Sequence, residues 1–284
     1  MKTLTALLLI LCFTTMLWGC NAQDQDNSDL TDVSSQQPDQ GQTTILLWKE
    51  VSKNASGSIM HSTEYAYDSM GRKTTVTVTQ GDTTTVTNYK YDENGFLSEE
   101  EIKTKGDSFI YHCIYDNDAN GNVLKATTLD KQGKLLTETL NIYDNSGKIQ
   151  EVKVDGKTTK VYSYEEDGSY TETYKNRNGY NKYDKDGKCI FSKDDSSEAN
   201  YSYTNDLLTE FVMVSNGNIY KNVYEYTNGL ISRQTDYEND QINRIYTYEY
   251  DENMRLIQDS VQNAIGVVSR TTYYEYKEFY TENE

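Results

Sequence analysis

The sequence predicts an all-β fold: an antiparallel β-hairpin meander, built as a repeat array and coiling into a spiral or a partial barrel. Three observations predict it. Strand-forming residues dominate, with 26 Tyr among 284 residues and alternating runs such as Thr74 to Thr79. A turn unit, Tyr-x-Tyr-Asp-x-x-Gly, recurs from residue 63 onward. A single proline, Pro38, leaves almost every residue able to donate a ladder N–H.

The repeat is clearest at Tyr67-Asp68 to Gly71, Tyr91-Asp92 to Gly95, Tyr143-Asp144 to Gly147, and Tyr183-Asp184 to Gly187. Looser copies centre on Tyr115, Tyr164, Tyr203, Tyr226, Tyr250 and Tyr276. From Tyr67 on, these anchors stand 24, 24, 28, 21, 19, 20, 23, 24 and 26 residues apart. Asp at the first position and Gly at the fourth suit a type I turn closed by a left-handed glycine in a G1 bulge. That geometry pairs each Tyr with the residue 6 positions on: Leu97 from Tyr91, Ile149 from Tyr143, Cys189 from Tyr183, Leu256 from Tyr250. A second turn signal follows about a dozen residues later, as at Gly81-Asp82, Gly106-Asp107, Asp155-Gly156, Asn178-Gly179 and Asn216-Gly217.

Two turns per repeat imply about twenty strands of roughly seven to ten residues. Ile45 to Trp48 supplies the first strand, and Glu275, Lys277 and Glu278 read as charges protecting a last, edge strand. Tyr occupies one face of the strands and Thr, Lys and Glu the other. A single tyrosine ladder is a thin core, so the sheet is expected to coil upon itself. The regular period makes core packing, rather than stacking on sugar rings, the first role of the tyrosines.

The chain divides into residues 1–19, residues 20–44 and the repeat domain 45–284. Lys2 and the apolar run after it form the n- and h-regions of a signal peptide. Leu17-Trp18-Gly19-Cys20 resembles a bacterial lipobox, which implies cleavage before Cys20, diacylation of its thiol and anchorage to a membrane. Residues 21–44 carry five Asp and no Lys or Arg, as a solvated tether does. Asn21 is not the Asp that retains lipoproteins at the inner membrane, and the acidic run resembles surface-export tags. The expected location is the cell envelope, at the outer membrane and exposed on its surface. A net charge of −18 argues against nucleic acid and against electrostatic docking on anionic lipid.

The Tyr-Asp-x-x-Gly unit resembles the YD repeat of the Rhs family, over roughly residues 58–284. It degrades at Tyr203-Thr204 and Tyr226-Thr227, where the Asp is lost, and further at Tyr276-Lys277. In large Rhs and teneurin-like proteins such repeats spiral into a hollow β-shell around a toxic C-terminal domain. No such domain is recognisable here, so the resemblance implies the repeat and an association with bacterial surfaces, not enclosure of a toxin.

Candidate sites are few. Asp116, Asp118 and Asn120 fall at the first, third and fifth positions of a D-x-D-x-N-G run, the spacing of a calcium loop, although position 12 is Thr127. The alternative is a two-residue expansion of the repeat turn, with no metal. Cys113 and Cys189 lie about six strands apart, nearly 30 Å in an open meander, and are expected as buried thiols without a disulfide. His61 and His112 are the two histidines, and no hydrolase or metalloprotease motif accompanies them. Carboxylates are numerous but fall mainly at turns. The chain is therefore expected to be non-enzymatic and without a cofactor: an envelope lipoprotein whose repeat array binds an envelope protein or glycan. The alternatives are a passive spacer in a surface assembly and a polysaccharide-acting enzyme.

Overall fold

The computed structural model describes residues 42–104 and 108–281. The expected signal peptide, Cys20, most of the expected tether and the expected Gly106-Asp107 turn lie outside the described residues. Twenty strands follow one another. The first ten are β1 (Gln42–Asn54), β2 (Ile59–Tyr67), β3 (Lys73–Gln80), β4 (Thr83–Tyr91), β5 (Leu97–Thr104), β6 (Ser108–Asn117), β7 (Val123–Leu129), β8 (Leu135–Tyr143), β9 (Ile149–Val154) and β10 (Lys157–Tyr164). The rest are β11 (Tyr170–Tyr174), β12 (Gly179–Tyr183), β13 (Cys189–Lys193), β14 (Ser197–Thr204), β15 (Leu207–Ser215), β16 (Asn218–Thr227), β17 (Leu230–Glu238), β18 (Gln241–Tyr250), β19 (Leu256–Asn263) and β20 (Val268–Thr281).

Each strand pairs antiparallel with the next, and the ring then closes. β20 pairs with β1 along Gln42↔Thr281 to Asn54↔Arg270. The charges on the last strand therefore protect no edge: Glu275 faces Lys49 and Lys277 faces Leu46 inside a continuous ladder. Closure removes both edges, which resolves the exposed-ladder problem more completely than charge can.

The turn register is the one expected from the sequence. Tyr67 pairs with Lys73, Tyr91 with Leu97, Tyr143 with Ile149, Tyr183 with Cys189 and Tyr250 with Leu256, each beside a bulge. In the turn after Tyr91, Asp92 N–H donates to Phe96 O at 2.8 Å and Gly95 N–H to Asp92 O at 3.0 Å. The Asp92 side chain accepts from Asn94 N–H and Phe96 N–H, both at 2.9 Å. These turns gather at one rim, here called the aspartate rim. Where the Asp is lost, at β14–β15 and β16–β17, the rim uses two-residue turns, Asn205-Asp206 and Asn228-Gly229, with positive φ at both residues.

One anchor was misplaced by the sequence. Asn117, not Tyr115, stands before the turn Asp118-Ala119-Asn120-Gly121 and pairs with Val123. Residues 116–121 are thus no expanded loop: β6 is longer by two residues, and the intervals of 24 and 28 become 26 and 26 (91 to 117, 117 to 143).

Nothing among the described residues packs outside the ring, so the face that hides side chains is the concave one. It holds Ile102, Tyr111, Cys113 and Ala126, a small buried cluster, together with Glu100, Glu172, Asp259 and both tyrosine rows. Cys113 and Cys189 are buried there as thiols rather than a disulfide. The convex face carries Thr and cross-strand ion pairs such as Lys49–Glu64 at 2.7 Å, Lys90–Glu99 at 2.8 Å and Lys221–Glu210 at 2.9 Å. Four residues of that convex face, Val51, Thr235, Ile245 and Ser260, are buried as well.

Candidate functional site

The concave wall is organised by its tyrosines in two rows. The anchors form the first row, at the aspartate rim. Tyr91 Oη donates to Lys73 O at 2.7 Å, Tyr143 Oη to Val123 O at 3.2 Å, Tyr226 Oη to Leu208 O at 2.8 Å and Tyr276 Oη to Leu256 O at 3.0 Å. Tyr67, Tyr164, Tyr203 and Tyr250 do the same, and Asn117 Nδ2 makes the equivalent bond to Leu97 O at 2.9 Å. Apart from Leu47, which lies inside β1, each carbonyl stands at the first or second residue of the preceding strand, so each bond links one repeat to the one before. The residue after the turn glycine completes the latch: the Arg72 guanidinium lies 4.5 Å over Tyr91, and the Lys148 ammonium 4.9 Å over Tyr164. At Asn117 the chemistry is exchanged, with Phe96 of the previous turn lying against Gly121.

The second row stands two residues earlier and faces carboxylates that sequence reasoning missed. Tyr65 Oη donates to Glu50 at 2.6 Å, Tyr115 to Glu100 at 3.2 Å, Tyr162 to Glu172 at 3.0 Å and Tyr274 to Asp259 at 2.8 Å. A signal existed: Glu100 and Asp259 each fall 9 residues after an anchor, Tyr91 and Tyr250, an inward position held by Val76 and Val152 in other repeats.

Two of these carboxylates have opposite electrostatics. Burial pushes Glu172 up, but the Lys160 ammonium at 2.7 Å and the hydroxyls of Tyr162 and Tyr174 outweigh it and hold the carboxyl below its usual range. Asn181 and Tyr183 also donate to it. Burial likewise pushes Glu100 up, and the hydroxyls of Tyr115 and Tyr111 offset this in part, so its carboxyl stays above the usual range. Burial also raises the tyrosines: Tyr89, opposite Glu100, and Tyr174 are each pushed up to about 12. These phenols are neutral donors at any ordinary pH.

The remaining candidates are placed plainly. Asp118 accepts from the N–H groups of Asn120 and Asn122 and from Asn122 Nδ2, whereas Asp116 reaches Lys125 at 3.0 Å on the convex face. The proposed calcium ligands are thereby committed to different partners. Ser52 Oγ lies 3.1 Å from His61 Nε2 and 2.8 Å from Thr272 Oγ1. Ser52 is 1% exposed, so this pair joins β1, β2 and β20 at the closure and cannot reach a substrate carbonyl. His112 pairs with Glu99 at 3.1 Å on the convex face. No helix among the described residues is long and apolar enough to cross a membrane.

The chain matches no family model and no curated protein. Among solved structures it is similar to a porin-like protein from Bacteroides uniformis, at 14% identity and TM-score 0.38, covering 81% of this chain and 98% of that one. A porin-like protein from Bacteroides vulgatus gives 10% identity and TM-score 0.36, with the same coverages of 81% and 98%. A Tc holotoxin pore from Photorhabdus luminescens gives 13% identity and TM-score 0.29, over 82% of this chain and 15% of that one. Scores this low carry no functional argument, and the closed ring rests on this chain's own strand pairing. Its convex ion pairs also differ from a lipid-facing wall, where each Lys or Arg near the midplane would cost about 2–4 kcal/mol.

Proposed function

We propose that the chain is a non-enzymatic envelope lipoprotein, acylated at Cys20, whose YD-like barrel is a binding or assembly module for an envelope protein or polymer. The observation that supports binding over catalysis is the commitment of the concave carboxylates. Glu50, Glu172 and Asp259 each accept a bond from a tyrosine hydroxyl of a neighbouring strand and so hold the wall together. The convex wall, with its water-facing ion pairs, is the surface a partner meets.

Two measurements on intact cells test this. Metabolic labelling with an alkynyl palmitate should mark the protein and be lost in Cys20→Ala. Crosslinking and pull-down through a C-terminal tag should recover one reproducible envelope protein or glycan. Unchanged labelling of the variant would remove the anchor. Polysaccharide turnover abolished by Glu100→Gln would replace a binding module with an enzyme.

A further inference from the structure

The rim opposite the aspartate turns is chemically uneven. Five of its hairpin tips carry exposed aliphatic side chains. Leu135 and Leu136 stand at the charged β7–β8 tip, and the other four tips hold Ile219 between β15 and β16, Ile242 between β17 and β18, Ile265 and Val267 between β19 and β20, and Ile59 and Met60 between β1 and β2. Ile265 is 84% exposed and Ile59 65%. Because β20 pairs with β1, those four tips are consecutive around the ring. They span eight strands, an arc of about 34 Å at about 4.8 Å per spacing. Three of the four tips contain no charged residue, as in Asn54 to Met60, Ser215 to Tyr220 and Asn263 to Val268. Elsewhere the same rim turns through charge, at Asp155 and Lys157, Lys175 and Arg177, and Asp194 and Asp195. A contiguous apolar arc, charged only at Glu238 and Asp240 of the β17–β18 tip, on a protein of net charge −18 calls for an apolar occupant.

We propose that this arc seats in the headgroup layer of an electrically neutral lipid bilayer, with the aliphatic tips inserted. Charge supports the orientation. The far rim carries Asp68, Asp92, Asp118, Asp144, Asp184 and Asp251 in its turns, and seating those carboxylates in a bilayer would cost their desolvation. Chain length permits it. β1 enters at the aspartate rim, and the 22 residue steps from Cys20 to Gln42 extend to about 75 Å, against about 43 Å for the 13 residues of β1. A chain held at Cys20 therefore has the reach to run past the wall and lay the opposite rim on the same surface. The contact itself does not depend on acylation, so it is tested separately from the anchor.

The test uses residues 20–284 with Cys20→Ser, co-sedimented with phosphatidylcholine vesicles at low and high salt. Binding is expected, unchanged by salt because the contact is apolar. The triple variant Ile59→Ser, Ile265→Ser, Val267→Ser should bind at least about tenfold more weakly with an unchanged thermal melt. Ile59→Trp should bind more tightly, since Trp favours the bilayer interface. Leu135→Ser, at the exposed β7–β8 tip outside the arc, should bind like the parent. Equal sedimentation of parent and triple variant, or none by either, overturns the proposal. So does a dimer in the parent that the triple variant dissolves without any vesicle binding, which would make the arc an interface between copies.

Discussion

The two rims of the barrel share their turn chemistry, but only one is latched by tyrosines to the preceding strand. At the aspartate rim six of the nine turns have an Asp side chain gathering two N–H groups, five of these with a left-handed glycine, and most of the rim's tyrosines reach back to the preceding strand. The opposite rim mixes the same side-chain capture, at Asn54, Asp130, Asp194 and Asn263, with two-residue turns such as Asp155-Gly156 and Asn216-Gly217, which have positive φ at both residues. The tyrosine latch couples neighbouring repeats and constrains the residues that use it. The opposite rim, without that latch, mixes the two kinds of turn and leaves its tips to vary. The rim that holds the ring together is therefore acidic and uniform, and the rim that is chemically distinctive is the one relieved of that task.

Substitutions can break this contrast. The largest effect is expected at Gly121, where φ is +82° and an added Cβ would lie 2.5 Å from the Phe96 ring. Gly121→Ala should lose about 2–3 kcal/mol in urea unfolding, and Phe96→Ala in the same chain should relieve the steric part. Gly57→Ala on the opposite rim shares the positive φ of +83° but meets nothing within 4 Å, and should lose about 1 kcal/mol. Asp92→Ala should cost about 1–2 kcal/mol by stranding two N–H groups. Asp82→Ala, at the β3–β4 tip, should stay within about 0.5 kcal/mol of the parent.

A smaller effect runs the other way. Met254 occupies the glycine position of the β18–β19 turn at φ 62°, so Met254→Gly should gain about 1 kcal/mol, seen as a higher melting temperature. Tyr91→Phe removes one neutral bond and should lose about 0.5–1.5 kcal/mol in urea unfolding.

Acid sharpens the comparison least. Asp118 is held low by Asn122 and the turn N–H groups, Asp144 by Ser146 and Lys148 N–H, and Asp251 by Arg255 and its neighbours. A depressed folded-state pKa means that the stability these groups add is present above the ordinary Asp range and is lost as pH falls through their lowered values. Asp194 on the opposite rim shares the behaviour, held at about 2 by the N–H and hydroxyl groups of Ser196 and Ser197. Asp144→Asn should flatten the decline in melting temperature below pH 4, and an unchanged decline would exclude this turn as a source of acid lability.

Much of this was legible in the residues. Turn chemistry is local, so Asp-x-x-Gly alone set the bulge and the six-residue pairing of Tyr91 with Leu97. Tyr115 was mistaken for an anchor because it matches the repeat by type. Asn117 holds the place by hydrogen bonding to Leu97 O, and only the neighbouring strand reveals that role. Cys113 and Cys189 were legible as buried thiols because a disulfide demands proximity that strands so far apart do not have.

By itself the sequence determined the strands, their approximate number, most of their turns and the tyrosine face, because period-two alternation and turn conformation depend on residues within a few positions of one another. Only the tertiary structure decided that Glu275 and Lys277 lie inside a closed ladder rather than on an edge. It also decided that Glu100 and Glu172 meet different neighbours, and that Ile59 stands beside Ile265 on one rim. Closure joins residues more than 200 positions apart, and the curvature accumulated over twenty strands is a property of the whole sheet that no single repeat encodes.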